Sequence, residues 1–142
     1  MNQNFVVDSS LALSWCFDDE ATEPTQAVLD LFLEGARAVV PPLWVWECNN
    51  ILTLAERAKR ITSAQKLEKI SLLRALPIDF DASAQDQCWT VTADIAQAQK
   101  MSIYDASYLE LALRLNLALG SLDSELRASG KRVGAKILPA KI

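Results

Sequence analysis

Four acidic residues stand at breaks between apolar segments, and together they span almost the whole chain. Asp8 closes the run Asn4-Phe5-Val6-Val7, and Glu47 lies inside the aromatic stretch from Pro41 to Asn50. Asp105 opens the apolar run from Ala106 to Leu115, and Asp123 follows the segment from Leu117 to Leu122. The chain contains no histidine, which leaves carboxylates as the groups able to do metal chemistry. Carboxylates gathered from several element ends suit a hard cation such as Mg2+ or Mn2+. That combination points to metal-assisted cleavage of phosphodiesters.

Residues this far apart need a scaffold that folds their segments to one place. The chain alternates short apolar runs with amphipathic stretches. Phe5-Val6-Val7 is a continuous apolar run, suited to a strand buried on both faces of a parallel sheet. Ser9 or Ser10 can cap a first helix reaching about 17. A helix over 24–34 follows, with Pro24 near its start and Gly35 as its stop. Ala38-Val39-Val40 reads as a second strand, ended by Pro41-Pro42. Helices are expected over 44–60, over 62–76 and over 83–100, with Ile78 and Phe80 on a short edge strand between the last two. A strongly apolar helix over 104–115 leads into a strand at 117–119. A short helix over 123–129 and a strand region over 132–137 complete the pattern.

Strand and helix alternating in this way predict an α/β/α sandwich around a central, mostly parallel sheet. Residues 1–142 read as a single domain, with neither linker nor internal repeat. In open parallel sheets, ligands bind outside the carboxyl ends of the strands. Asp8 and Asp123 fall just past such ends, and Glu47 and Asp105 fall near the starts of helices that reach the same edge. The four acids therefore converge, in expectation, on one cleft.

Each acid also has a purely structural reading. Asp8 and Asp123 suit the N-cap of the helix that follows each of them. Asp105 suits the positive end of a helix dipole. Glu47, flanked by Trp44, Val45, Trp46 and Cys48, is harder to explain that way, because an unpaired buried carboxylate is costly. The case for a metal site rests on the four together.

Composition narrows the class further. With 142 residues, 51% hydrophobic and 23% charged, the chain is that of an ordinary globular protein with a real core. No apolar run approaches the length of a membrane span, and Met1-Asn2-Gln3-Asn4 lacks the basic stretch of a secretory signal. Cys16, Cys48 and Cys88 are odd in number and lie in apolar or helical segments. They read as reduced, buried thiols of a cytoplasmic protein. A net charge of −4 argues against a general nucleic-acid binder, although a carboxylate cluster lowers net charge by itself and bound cations reverse the local potential. The basic residues gather at Arg57, Lys59 and Arg60, and again at Arg127, Lys131, Arg132, Lys136 and Lys141. Solvated helix ends account for most of them; the remainder could hold a phosphate backbone.

The blocks around the acids resemble the PIN-domain nucleases, and among them the VapC-type toxins of bacterial toxin–antitoxin pairs. The resemblance is carried by Val6-Val7-Asp8-Ser9-Ser10-Leu11-Ala12-Leu13-Ser14-Trp15 and Pro42-Leu43-Trp44-Val45-Trp46-Glu47-Cys48-Asn49-Asn50. It continues through Ser102-Ile103-Tyr104-Asp105-Ala106-Ser107-Tyr108-Leu109-Glu110-Leu111-Ala112 and Leu119-Gly120-Ser121-Leu122-Asp123-Ser124-Glu125-Leu126. Ser121 departs from the family, which more often has threonine there, but keeps the hydroxyl. The stretch from Ile61 to Gln99 carries no matching block.

This resemblance implies an α/β/α sandwich with Asp8, Glu47, Asp105 and Asp123 around one or two Mg2+ or Mn2+ ions. It implies an endoribonuclease, a cognate antitoxin protein as partner and a homodimer. Ser9 and Ser121 would be donors that orient the carboxylates. Trp15, Trp44, Trp46 and Trp89 suit core or partner contacts better than base stacking. Asp18, Asp19 and Glu20 suit a solvated turn. Two alternatives remain open: a PIN-type nuclease of RNA maturation outside any toxin pair, and a silent binding module that keeps the fold without the chemistry.

Overall fold

In the computed structural model, which describes residues 3–142, the sequence-based expectation for Met1 and Asn2 lies outside the described residues. Phe5–Val7 forms β1, Ala38–Val40 β2, Ile78–Phe80 β3, Ala118–Gly120 β4 and Ile137–Leu138 β5. All neighbouring strands pair in parallel, in the order β3-β2-β1-β4-β5. The central strand is the continuous apolar run: Phe5, Val6 and Val7 are fully buried, as a strand covered on both faces requires. β3 lies at an edge, where Phe80 remains exposed.

Helices cover the sheet. They are α1 (Ser9–Ser14), α2 (Glu23–Leu29, continued by a 3-10 stretch Asp30–Glu34), α3 (Leu43–Arg57), α4 (Ser63–Ala75), α5 (Ala84–Gln87), α6 (Ala93–Gln99), α7 (Ile103–Leu115) and α8 (Ser124–Arg132). Their ends follow from local chemistry. Thr22 and Thr62 close capping boxes with Thr25 and Gln65, each satisfying backbone N–H groups that the first turn leaves free. Ser102 caps α7 through the Asp105 N–H. Gly35 terminates the 3-10 stretch after α2 with φ +94°, a conformation that glycine adopts without a Cβ penalty. Among the described residues, no helix is long and apolar enough to cross a membrane.

The predicted order of strands and helices matches this arrangement, with local differences: α1 ends at Ser14 rather than about 17, the helix over 24–34 turns 3-10 from Asp30, and α3 ends at Arg57 rather than 60. Asp8 itself caps α1, so the helix starts at Ser9 and neither Ser9 nor Ser10 is its cap. The helix expected over 83–100 breaks into α5 and α6 around a π-helical turn, Cys88–Thr92. β4 is shifted by one residue to include Gly120. The last strand shrinks to two residues because α8 continues through Arg132 before Gly134, at φ +89°, turns the chain. Gly120 is the position where close packing excludes a side chain. A Cβ there would lie 2.8 Å from Leu11 Cδ2 and 3.1 Å from the Val6 carbonyl oxygen.

A single buried cluster joins β1, β2 and β4 to the inner faces of α1, α3 and α7. Leu11, Leu52, Leu109, Leu111 and Tyr108 are among its largest members. Cys16 and Cys48 are buried and Cys88 is half-buried; none of the three is in a disulfide. Burial pushes the Cys16 thiol up to about 11, so it packs as a neutral apolar group.

Candidate metal centre

Parallel pairing fixes where each acid can go. β1 and β4 are in register, Val7 opposite Gly120, so the residues that follow them, Asp8 and Ser121, leave the sheet side by side at its carboxyl edge. The Asp8 N–H donates to the Gly120 carbonyl at 2.9 Å. β2 ends at the same edge and passes through Pro41-Pro42 into α3, which carries Glu47 in its second turn. α7 reaches that edge with its N-terminus and presents Asp105 in its first turn. Asp123 follows Ser121 by two residues and caps α8.

Asp8 lies at the centre of a hydroxyl network. Its Oδ1 accepts from Ser10 Oγ at 2.7 Å and from the Leu11 N–H at 3.0 Å. Its Oδ2 accepts from the Ser121 hydroxyl. Ser10 Oγ in turn accepts from the Leu122 N–H at 2.9 Å, and Ser121 Oγ accepts from the Asp123 N–H at 3.0 Å. Two serines thus tie the exit of β1 to the exit of β4. Only 5% of Asp8 is exposed, and every donor around it is neutral. Burial therefore dominates: it raises the Asp8 pKa above the ordinary carboxylate value, and the charge of Asp105 adds to the rise.

The other acids report the same crowding. Burial raises the pKa of half-buried Glu47, and the charges of Asp105 and Asp8 raise it further. Hydrogen bonds from Tyr108 and Ser9 oppose that rise. Asp105 is raised by burial first, then by the charges of Asp123 and Glu125. The charges of these acids thus act on one another through space, and no basic side chain is among the causes that shift Asp8, Glu47 and Asp105.

The structural readings and the clustering hold together. Asp8 and Asp123 do cap helices, accepting from the Leu11 and Leu126 N–H groups at 3.0 and 2.8 Å. A capping carboxylate keeps further lone pairs, so the two roles are compatible. Asp123 is exposed, Asp8 buried, and Glu47 and Asp105 lie between. Among the described residues, no three acidic or cysteine side chains are drawn close enough to make a ready-built ligand shell. Carboxylate oxygens are hard donors of the type that Mg2+ takes, and Mg2+ usually binds one or two carboxylates and keeps several waters. A divalent cation would also relieve the mutual repulsion that raises these pKa values.

Of the two serines expected to orient the acids, Ser121 donates to Asp8 and Ser9 lies beside Glu47. Ser10, which the sequence does not single out for this role, also donates to Asp8. Tyr108, only 1% exposed, donates its hydroxyl to Glu47 Oε1. Its spacing offered a clue, because positions three apart share a helix face and Tyr108 follows Asp105 by three. Glu125 adds a fifth negative charge near Asp105. A cleft of about 380 Å3 opens beside Asp105, between the α6–α7 turn and α8.

Other candidates go elsewhere. Arg60 donates to Asp19 and Glu20 and sits over the Phe17 ring at 4.0 Å, so the acidic turn and one basic residue neutralise each other. Arg127 is buried and donates to the carbonyls of Ser121 and Pro139 at 2.9 and 2.7 Å. It braces the exit of β4 and is closed to a phosphate. Trp44 is buried against Phe80, whereas Trp46 is 72% exposed, as their opposite sides of the helix required.

Comparison with known proteins bears on the fold and the family. The crystal structure of PAE2754 from Pyrobaculum aerophilum is similar, with a TM-score of 0.64 at 21% sequence identity, over 94% of this chain and 83% of that one. That likeness is one of fold. No curated protein matches the sequence. The PIN domain family matches residues 5–131, a span that holds all four acids and all but the last strand. The chain belongs to the PIN-domain family.

Proposed function

We propose that this PIN domain is a divalent-metal-dependent endoribonuclease, with Asp8, Glu47, Asp105 and Asp123 around Mg2+ or Mn2+, acting as the toxin of a toxin–antitoxin pair. The observation that carries the metal chemistry is the arrival of four carboxylates from distant positions at the carboxyl edge of one parallel sheet, where their charges act on one another. A bound divalent ion supplies an activated water and stabilises charge on the scissile phosphate. Asp8 and Asp105 are the core ligands in this reading, and Glu47 and Asp123 hold a second ion or an ordered water. Ser10 and Ser121 fix the Asp8 carboxylate, and Tyr108 fixes Glu47. Without the ion, the acidic opening repels a phosphodiester.

The toxin role rests on the sequence blocks around the acids. It brings a cognate antitoxin and a homodimer as partners, and apolar surface is at hand for both. Trp46, Leu54 and Leu67 are exposed on α3 and α4, and Trp89 is 84% exposed on the π-helical turn. Isolated apolar residues need no explanation, but several on adjacent helices suit a protein partner.

RNA cleavage with Mn2+ tests the chemistry, using Asp8→Asn and Asp105→Asn. Full-rate cleavage by either variant would remove the metal-centre reading. Growth arrest on expression, relieved by a small co-expressed partner, distinguishes the toxin from a maturation nuclease. Calorimetry with Mn2+ addresses the silent module, which predicts no saturable heat that depends on Asp8.

A further inference from the structure

The cleft beside Asp105 changes character along its length. Asp105 and Glu125 lie where it meets the candidate metal centre. Lys100 and Arg132 also line it. α8 runs away from the centre, and Arg132 follows Glu125 by seven residues, about 10 Å along a helix axis. Arg132 is held in place: its Nε donates to Gln99 Oε1 at 3.2 Å and its Nη2 to Ser129 Oγ at 3.1 Å. Gln99 precedes Lys100, and all three residues line the same cleft. Lys100 ends α6 in the left-handed conformation, φ 55°. Both cations are exposed, and among the described residues neither forms an ion pair. In a chain of net charge −4, two unpaired cations share one cleft whose other end is acidic.

We propose that this cleft is a backbone subsite for the substrate strand, in which Lys100 and Arg132 hold phosphates of single-stranded RNA beyond the one at the metal centre. The inference rests on the nuclease reading and gives it a direction: the strand leaves the centre along α8, past the α6–α7 turn. A guanidinium fixed by two neutral acceptors keeps its remaining N–H groups for a phosphate oxygen. The acids at the near end and the cations at the far end match a strand with one phosphate on a divalent ion and later ones on the protein. The cations also offset the repulsion that the acidic opening exerts on the rest of the strand.

The test measures binding of a short single-stranded oligoribonucleotide, in Ca2+ so that cleavage does not interfere, as a function of salt. The protein is compared with Lys100→Gln, with Lys100→Gln/Arg132→Gln, and with Arg37→Gln/Lys136→Gln, which removes the same charge at the opposite edge of the sheet. The double variant in the cleft is expected to lose on the order of tenfold in affinity at fixed salt, and its log–log salt slope to fall by about 0.7 for each phosphate it no longer neutralises. Lys100→Gln breaks no side-chain hydrogen bond among the described residues and keeps the test open if Arg132→Gln loosens α8; a fall of about 0.7 in its slope is expected. Unchanged affinity and slope in both cleft variants, or an equal loss in the opposite-edge variant, overturns the subsite. Cleavage of the same oligonucleotide by the wild-type protein with Mn2+ is scored separately. Its absence counts against the nuclease reading, while the binding comparison still decides the cleft.

Discussion

The Tyr108 hydroxyl donates to Glu47 Oε1, joining the second turn of α7 to the second turn of α3 across 61 positions of sequence. Both helices begin at the carboxyl edge of the sheet, and this bond locks them together beneath the opening where the acids gather. Tyr108 is buried, and its own pKa is raised by burial and by the Glu47 charge, so it serves as a permanent donor. Tyr108→Phe keeps the ring and removes the donor. Mn2+ affinity by calorimetry is expected to fall about tenfold, as for other partners that orient metal ligands. An unchanged affinity would reduce the bond to a structural tie between α3 and α7.

Metal-free stability should depend on pH in an unusual direction. The Asp8, Glu47 and Asp105 carboxyls have folded-state pKa values raised above their ordinary 3.8, 4.5 and 3.8. A raised carboxyl pKa favours the folded state while the group is protonated. That contribution is fully present below the ordinary value and is lost as pH rises through the raised one. In EDTA, Asp8→Asn keeps a good helix cap without the charge. Its melting temperature relative to wild type should therefore climb as pH rises from about 4 to neutrality. A difference that stays flat over this range would show that Asp8 is not strained by its surroundings.

Arg114 bridges two acids outside the centre. It donates to Glu110 Oε2 at 2.7 Å and to Asp81 Oδ2 at 2.7 Å, tying α7 to the residue after β3. The Glu110 side chain is 3% exposed. Arg114→Gln leaves this carboxylate without its cation in a buried place, and a loss of about 3–5 kcal/mol in urea unfolding is expected. The exposed pair Arg37–Asp79, 49% and 50% accessible, provides the contrast. Arg37→Gln should cost far less, because an ion pair open to water on both sides contributes little. Equal effects from the two substitutions would contradict the burial argument.

Gly120→Ala places a methyl against the Val6 carbonyl and Leu11, one residue before Ser121. Strand backbone cannot yield as a flexible side chain does, so a loss of about 1–3 kcal/mol is expected. The displaced Ser121 hydroxyl would also release Asp8 Oδ2. Thermal melting and Mn2+ calorimetry should both register the change, and full metal affinity in a destabilised variant would uncouple the two.

Residue types and their spacing were sufficient for much of this molecule. The continuous apolar run Phe5-Val6-Val7 announced a doubly covered central strand, and the alternation of strand and helix announced a parallel sheet. A parallel sheet brings its strand ends to one edge, so the positions of Asp8 and Asp123 after strands placed them there. These features follow from local propensity and periodicity, which any stretch of chain carries by itself. Other features needed the fold. Helix 83–100 breaks where its residues pack against α7, and no local signal marks the π-helical turn. Which serine turns to Asp8 and which to Glu47, and that Tyr108 meets Glu47, depend on the angle between helices that are distant in sequence. Pairing through space also decided the cations. Arg60 and Arg127 look like Arg132 in the sequence, yet one is neutralised by Asp19 and Glu20 and one is buried under Ser121 and Pro139. Arg132 alone of the three faces the cleft. Charge and hydrogen-bonding capacity belong to the residue, whereas the partner that uses them is chosen by tertiary packing.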